Sequence, residues 1–183
     1  MSSMVKEILQ GYEVDFVGLQ ETMRKQYSDK FFRKIDYNKK FAWHWVPSNG
    51  KSGGILCGVN LDRFEVIKFV EGAFTVNAIV NDKKEKRTLS LVTVYGPAHE
   101  EGRENILAEL AQICSTNVYP MILGGDFNIL RFSSEKNKSF SGNKSTDRFN
   151  WVINTHELRD LPLVGRMYTW SNNQQDPTGW IES

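Results

Sequence analysis

Short apolar runs separated by polar, glycine-containing stretches extend the length of the chain, a pattern of many strands with a few helices between them. Val5, Ile8 and Leu9 predict a short amphipathic helix that ends at Gly11, where a left-handed cap is cheap. Residues 15–19 form a brief apolar run, too short for a helix and read as a buried strand that delivers Gln20-Glu21-Thr22. Residues 41–46 predict a strand stopped by Pro47, and residues 53–59 a second strand introduced by turn-rich sequence. Strands are expected at 64–69 and at 74–80, where Phe74, Val76, Ala78 and Val80 alternate with Thr75, Asn77 and Ile79, read as a half-buried strand. Residues 81–86 read as a polar hairpin loop. The β-branched run 89–94 predicts a strand covered on both faces, ending at Tyr95-Gly96-Pro97. A helix over 100–114 places Ile106, Leu107, Leu110 and Ile113 on one face. A strand over 119–123 follows, with Gly124-Gly125-Asp126-Phe127-Asn128 after it. The serine-rich stretch 132–144 reads as a surface loop. Ser145 or Thr146 can cap a helix carrying Phe149, Val152, Ile153 and His156, and a last strand is expected at 167–170.

The 183 residues contain no repeat and no dividing linker, so a single domain, 1–183, is expected. The element order points to a mixed α/β sandwich. An ordinary balance of 40% hydrophobic and 25% charged residues excludes intrinsic disorder. The net charge of +1 excludes a strongly basic nucleic-acid coat and an acidic tail protein, but not a local basic groove. Apolar runs fall well short of the roughly 20 residues of a membrane span, and no signal-peptide core is present. Cys57 and Cys114 have apolar neighbours and no metal-ligand spacing, which predicts buried thiols in a reducing, intracellular compartment. The sequons at Asn137 and Asn143 read as accidental.

The informative chemistry sits at three expected strand ends. Glu21, Tyr95 and the Asp126/Asn128 pair each follow a short apolar run, and side chains at such ends converge on a shared crevice. One acid, one phenol and an Asp-x-Asn pair suit phosphate and a divalent metal, since Mg²⁺ commonly takes only one or two protein carboxylates. An Asp can orient or deprotonate water while Asn and Tyr donate to phosphate oxygens. Spacing alone leaves the blander readings open: an exposed loop acid at Glu21, and turns at 95–97 and 126–128.

Three ordered segments carry a resemblance. Asp15-Phe16-Val17-Gly18-Leu19-Gln20-Glu21-Thr22, Val94-Tyr95-Gly96-Pro97 and Ile122-Leu123-Gly124-Gly125-Asp126-Phe127-Asn128 resemble the signature segments of the exonuclease–endonuclease–phosphatase superfamily. Ser52-Gly53-Gly54-Ile55 and the stretch 158–172 are similar to further parts of its pattern. In flavour the chain is most similar to endonuclease domains of plant LINE-type retrotransposons. The resemblance implies a four-layer α/β fold, two packed mixed β-sheets flanked by helices. It implies Glu21 as the metal ligand and Asp126 as the residue that positions or activates water. Asn128 and Tyr95 would hold the scissile phosphate, and the cofactor would be Mg²⁺, with Mn²⁺ as an alternative. Trp170 and Asn172 would lie near substrate. The reaction would be in-line phosphodiester hydrolysis.

The resemblance also has gaps. The family's first-strand Asn and its C-terminal Ser-Asp-His motif have no counterpart, so the domain is expected to lack its first strand and C-terminal strands and to turn over slowly or not at all. None of His44, His99 and His156 is expected to replace the missing histidine. Two alternatives stand beside a Mg²⁺-dependent nuclease: a non-catalytic retroelement remnant that binds nucleic acid, and a phosphatase of small phosphoesters. Nucleic acid, DNA before RNA, is favoured by two basic clusters. Arg24, Lys25, Lys30, Arg33, Lys34, Lys39 and Lys40 follow Glu21, and Arg131, Lys136, Lys138, Lys144 and Arg148 follow Asn128. The oligomeric state is left open by the sequence.

Overall fold

The computed structural model describes residues 2–48, 53–132, 135, 144–161, 170–171 and 180–181. The chain forms two compact units, Met1–Tyr95 with Asn117–Asp126, and Gly96–Thr116 with Phe127–Ser183.

In the first unit, α1 (Ser2–Gly11) leads into β1 (Phe16–Leu19), α2 (Asp29–Ile35), β2 (Phe41–Val46) and β3 (Ile55–Asn60). The strands form a three-stranded sheet in the order β1-β3-β2. Both of its pairs are antiparallel. β4 (Phe64–Glu71), β5 (Thr75–Asp82), β6 (Arg87–Tyr95) and β7 (Met121–Asp126) form the second sheet in that order. This sheet is mixed: β4, β5 and β6 are antiparallel neighbours, whereas β6 and β7 run parallel.

The two sheets pack face to face, as expected of an α/β sandwich. Val59, Phe64, Ala78, Val80, Leu89 and Leu91 form the main cluster between them, with Phe16 against it. Ile55, Cys57 and Val76 form a second cluster that reaches Tyr95. Alternation along β3 sends Leu56 to the other face, where it is fully buried under α1 and α2 with Val5, Tyr27, Phe31 and Ile35. Each such side chain contributes about 1.5–3 kcal/mol. Gly18 lets β1 lie against β6, because a Cβ there would stand 2.5 Å from Thr93 Oγ1.

Several expectations need correction. α2 was not anticipated; its signals are the Ser28 cap, whose Oγ accepts from Phe31 N at 3.3 Å, and the Phe31/Ile35 pair. Asp36 after it accepts from Lys40 N, Phe41 N and Trp43 Nε1 at 2.8, 3.0 and 3.1 Å, tying α2 to β2. β5 is not half-buried, since Thr75 and Ile79 are also covered. Small polar side chains serve that face, as in the 2.9 Å bond from Ser90 Oγ to Asn77 Oδ1. Asp82 belongs to β5 rather than to a loop. It is buried, accepts from Arg63 Nη2 at 2.7 Å and from Lys84 N and Glu85 N at 2.8 and 2.9 Å, and is held down to about 2, chiefly by Arg63. β7 runs on through Gly124, Gly125 and Asp126 instead of stopping before them. At one edge of each sheet, His44 Nε2 meets Glu71 Oε1 at 2.9 Å and its ring stacks on Phe69 at 4.5 Å.

In the second unit a 3-10 turn, Glu100–Gly102, precedes α3 (Arg103–Thr116), and α4 (Lys144–Thr155) packs on α3. Ile106, Leu107 and Leu110 are buried, as are Phe149, Val152 and Ile153. Ser145 and Thr146 lie within the first turn of α4. Cys57 is buried as expected, and burial pushes its thiol up to about 12. Cys114, on α3, is only half-buried. β8 (Trp170–Ser171) and β9 (Trp180–Ile181) form a short antiparallel ladder. Asn137, Asn143, most of the 132–144 stretch and residues 167–169 lie outside the described residues. No helix among the described residues is long and apolar enough to cross a membrane.

Candidate active site

Three of the expected residues come together in the first unit. Glu21 lies just past the end of β1, and the segment carrying it is held by backbone bonds from Thr22 N to Gly54 O at 3.3 Å and from Met23 N to Gly53 O at 3.1 Å. Gly53 and Gly54 have φ of 87° and 89°, and a Cβ on Gly54 would stand 2.5 Å from Thr22 Oγ1. Glu21 and Met23 themselves take positive φ, 50° and 55°, a conformation non-glycine residues adopt only where surroundings enforce it. The double glycine before residue 55 was legible as a strand start, but its grip on the Glu21 segment was not.

Tyr95 ends β6 and Asp126 ends β7, and the parallel register pairs them directly. Gly125, at φ +143°, makes this possible, since a Cβ there would lie 2.0 Å from Val94 O. From the other sheet, Glu21 closes the set: Tyr95 OH donates to Glu21 Oε1 at 2.9 Å. The phenol is pushed up to about 12, first by burial, then by the hydrogen bond and charge of Glu21, and last by the charge of Asp126. Two carboxylates thus face one phenol, which stays protonated at any physiological pH. Both carboxylate residues are exposed and accessible to a solute.

Asn128 lies in the second unit. It has φ 53°, and its Nδ2 donates to Gly96 O at 2.9 Å. Trp170 is in β8, with only its backbone described, and Asn172 lies outside the described residues. Two members of the basic cluster after Asn128 are committed internally. Arg131 pairs with Asp160 and donates through Nε to Asn150 Oδ1 at 3.0 Å, while Arg148 pairs with Glu104. Lys136 and Lys138 are outside the described residues.

A divalent cation fits this donor set in one form only. Among the described residues no three His, Cys, Asp or Glu side chains gather to hold a metal ion. An ion here would rest on one or two carboxylates, with water and phosphate oxygens completing its shell, as Mg²⁺ tolerates. The charges of Glu21 and Asp126, which add to burial in raising the Tyr95 phenol, are what such an ion would offset.

Comparison with known proteins places the chain in a family and a fold. The model of the Endonuclease/Exonuclease/phosphatase family matches residues 2–181. A search of curated proteins found no match. Among solved structures, the AP endonuclease LMAP of Leishmania major is similar over 98% of this chain and 72% of its own, with a TM-score of 0.69 and 12% identity. Humanized D. rerio TDP2 matches 70% of this chain and 55% of its own, with a TM-score of 0.55 and 17% identity. ANGEL2, a 2',3'-cyclic phosphatase, matches 73% of this chain and 47% of its own, with a TM-score of 0.55 and 16% identity. The chain therefore spans about half the length of the TDP2 and ANGEL2 structures, and at these identities the likeness is one of fold. Signature segments in order, two packed sheets that bring Glu21 to Tyr95 and Asp126, and a family match across nearly every residue lead to one placement: the chain belongs to the endonuclease/exonuclease/phosphatase family.

Proposed function

We propose that Glu21, Tyr95 and Asp126 form a site for Mg²⁺- or Mn²⁺-dependent hydrolysis of phosphodiesters in nucleic acid, with DNA the preferred substrate. The observation that carries this reading is the 2.9 Å bond between Tyr95 and Glu21 beside the in-register Asp126. Glu21, with Asp126 close by, would hold the ion, which when bound supplies neutralising charge to phosphate oxygens. Tyr95 keeps its proton and can turn it from Glu21 to a phosphate oxygen. The Asp126 carboxylate orients a water and accepts its proton as the water attacks in line. An open mouth with exposed carboxylates suits a long substrate better than a small enclosed one. On its three signature segments, this reading takes the chain as a retrotransposon-type endonuclease domain.

The test is nicking of supercoiled plasmid with Mg²⁺. Slow nicking that falls a further ~10²-fold or more in Asp126→Ala supports the proposal. Nicking that Asp126→Ala leaves unchanged overturns it. Phosphate release from inositol phosphates without any nicking would favour the small-phosphoester reading, named because ANGEL2 is a phosphatase of the same fold.

A further inference from the structure

The larger of the two basic clusters also carries the greater excess of positive charge. Residues 24–40 hold seven cations and two carboxylates, a net +5, so the rest of a +1 chain sums to −4. One of those carboxylates, Asp36, is buried and occupied by three donors, which leaves Asp29 as the single exposed acid of the segment. Lys30, Arg33 and Lys34 recur at i, i+3 and i+4 along α2, on the face opposite the buried Phe31 and Ile35. All three are exposed, as are Tyr37, 81% accessible, and Lys39. Of the segment's cations only Lys40 makes an ion pair among the described residues, with Asp62 at 2.9 Å. A surface meant only for solubility interleaves both signs, whereas this one presents unpaired cations around an uncovered aromatic ring.

We propose that the outer face of α2, with Tyr37 and Lys39 beyond its end, is a docking surface for the phosphate backbone of nucleic acid outside the cleavage site. Lys30, Arg33, Lys34 and Lys39 contact phosphates, and Tyr37 supplies a stacking platform for an unpaired base. The partner class rests on the proposed function, because a phosphodiester substrate long enough to leave the pocket must be held somewhere else as well. Charge complementarity selects a polyanion, and the exposed ring selects a polyanion that carries bases.

The test compares the full chain with two double reversals of equal charge change. Arg33→Glu/Lys34→Glu alters the proposed surface; Lys68→Glu/Lys86→Glu alters two exposed lysines elsewhere in the same unit. Affinity for labelled single-stranded and duplex DNA is measured in EDTA across a salt series, so the result stands whether or not the chain cleaves. The first variant should lose at least about tenfold in affinity, and its log–log salt slope should flatten by about 1.8 on duplex and about 1.4 on single strands, two phosphate contacts' worth. The second should change by less than about threefold by the same counterion argument. Tyr37→Ala should weaken single-stranded binding about tenfold and duplex binding less. Equal losses in both double variants would show a whole-molecule charge effect and overturn the proposal, and so would an unchanged salt slope in the first. Loss of binding to phosphatidylglycerol vesicles, with DNA affinity retained, would reassign the surface to lipid and also overturn it. Absence of nicking with DNA binding lost in the first variant would sink the catalytic reading while leaving the docking surface standing.

Discussion

Replacing Glu21 by Gln tests the arrangement on which the site depends. The Tyr95 phenol stands at about 12 against a usual 10.0, and the causes rank as burial, then Glu21 through its hydrogen bond and charge, then Asp126. Glu21→Gln removes the charge, weakens the hydrogen bond to a neutral one and keeps the rest, so the Tyr95 pKa should fall below 12 yet remain above 10. Asp126→Asn should lower it by less. A folded pKa above the unfolded value means that the stabilisation is complete below pH 10 and is lost as pH climbs toward 12. The wild type should therefore lose stability over that window more steeply than Glu21→Gln. In a double-mutant cycle with Tyr95→Phe, urea unfolding at neutral pH should give a coupling of about 0.5–1 kcal/mol, the low end for a bond to a charged but exposed and screened acceptor. Tyrosine ring-carbon NMR titration reads the pKa directly. An unmoved Tyr95 in Glu21→Gln, or a larger shift in Asp126→Asn, would refute the ordering and the contact behind it.

Other consequences follow from the packing. Gly125→Ala should destabilise by more than about 3 kcal/mol, because its Cβ meets Val94 O at 2.0 Å, whereas Gly124→Ala, with nothing within 4 Å, should stay within about 1 kcal/mol in urea unfolding. The depressed Asp82 carboxyl stabilises the fold above its ordinary 3.8 and stops doing so as pH falls toward 2; Arg63→Ala should move the acid-unfolding midpoint upward, as circular dichroism would record. Native Cys57, buried and raised to about 12, should resist a thiol reagent that modifies the half-buried Cys114; equal reactivity would contradict the burial of Cys57.

Much of this was readable from the letters, and the misses share a cause. β6 announces itself by a nearly continuous β-branched and apolar run, and β2 ends before Pro47, whose missing N–H cannot extend the ladder with β3. α2 escaped because seven residues crowded with lysine and arginine hide its two inward apolar side chains, Phe31 and Ile35. The second face of β5 escaped because it is covered over hydroxyls and amides, as at Ser90 and Asn77, that a hydrophobicity pattern scores as solvent-facing. Asp82 reads as a turn acid until Arg63 is placed beside it, a pairing across 19 residues. The strand ends carrying Glu21, Tyr95 and Asp126 were legible in order, but not that the Glu21 segment is gripped by the glycine carbonyls at 53 and 54. Nor could spacing show that Arg131 and Arg148 spend their charge on Asp160 and Glu104.

The parallel pairing of β6 with β7 carries a kinetic implication. β4, β5 and β6 can zip up as neighbouring hairpins, but Asp126 reaches Tyr95 only after the intervening crossover has formed, and Glu21 reaches it across 74 positions. Distant closures of this kind are slow and cooperative. A nascent or partly melted chain would hold its hairpins and yet not have Glu21, Tyr95 and Asp126 assembled, so under the proposed function any cleavage reports that the long-range architecture is intact.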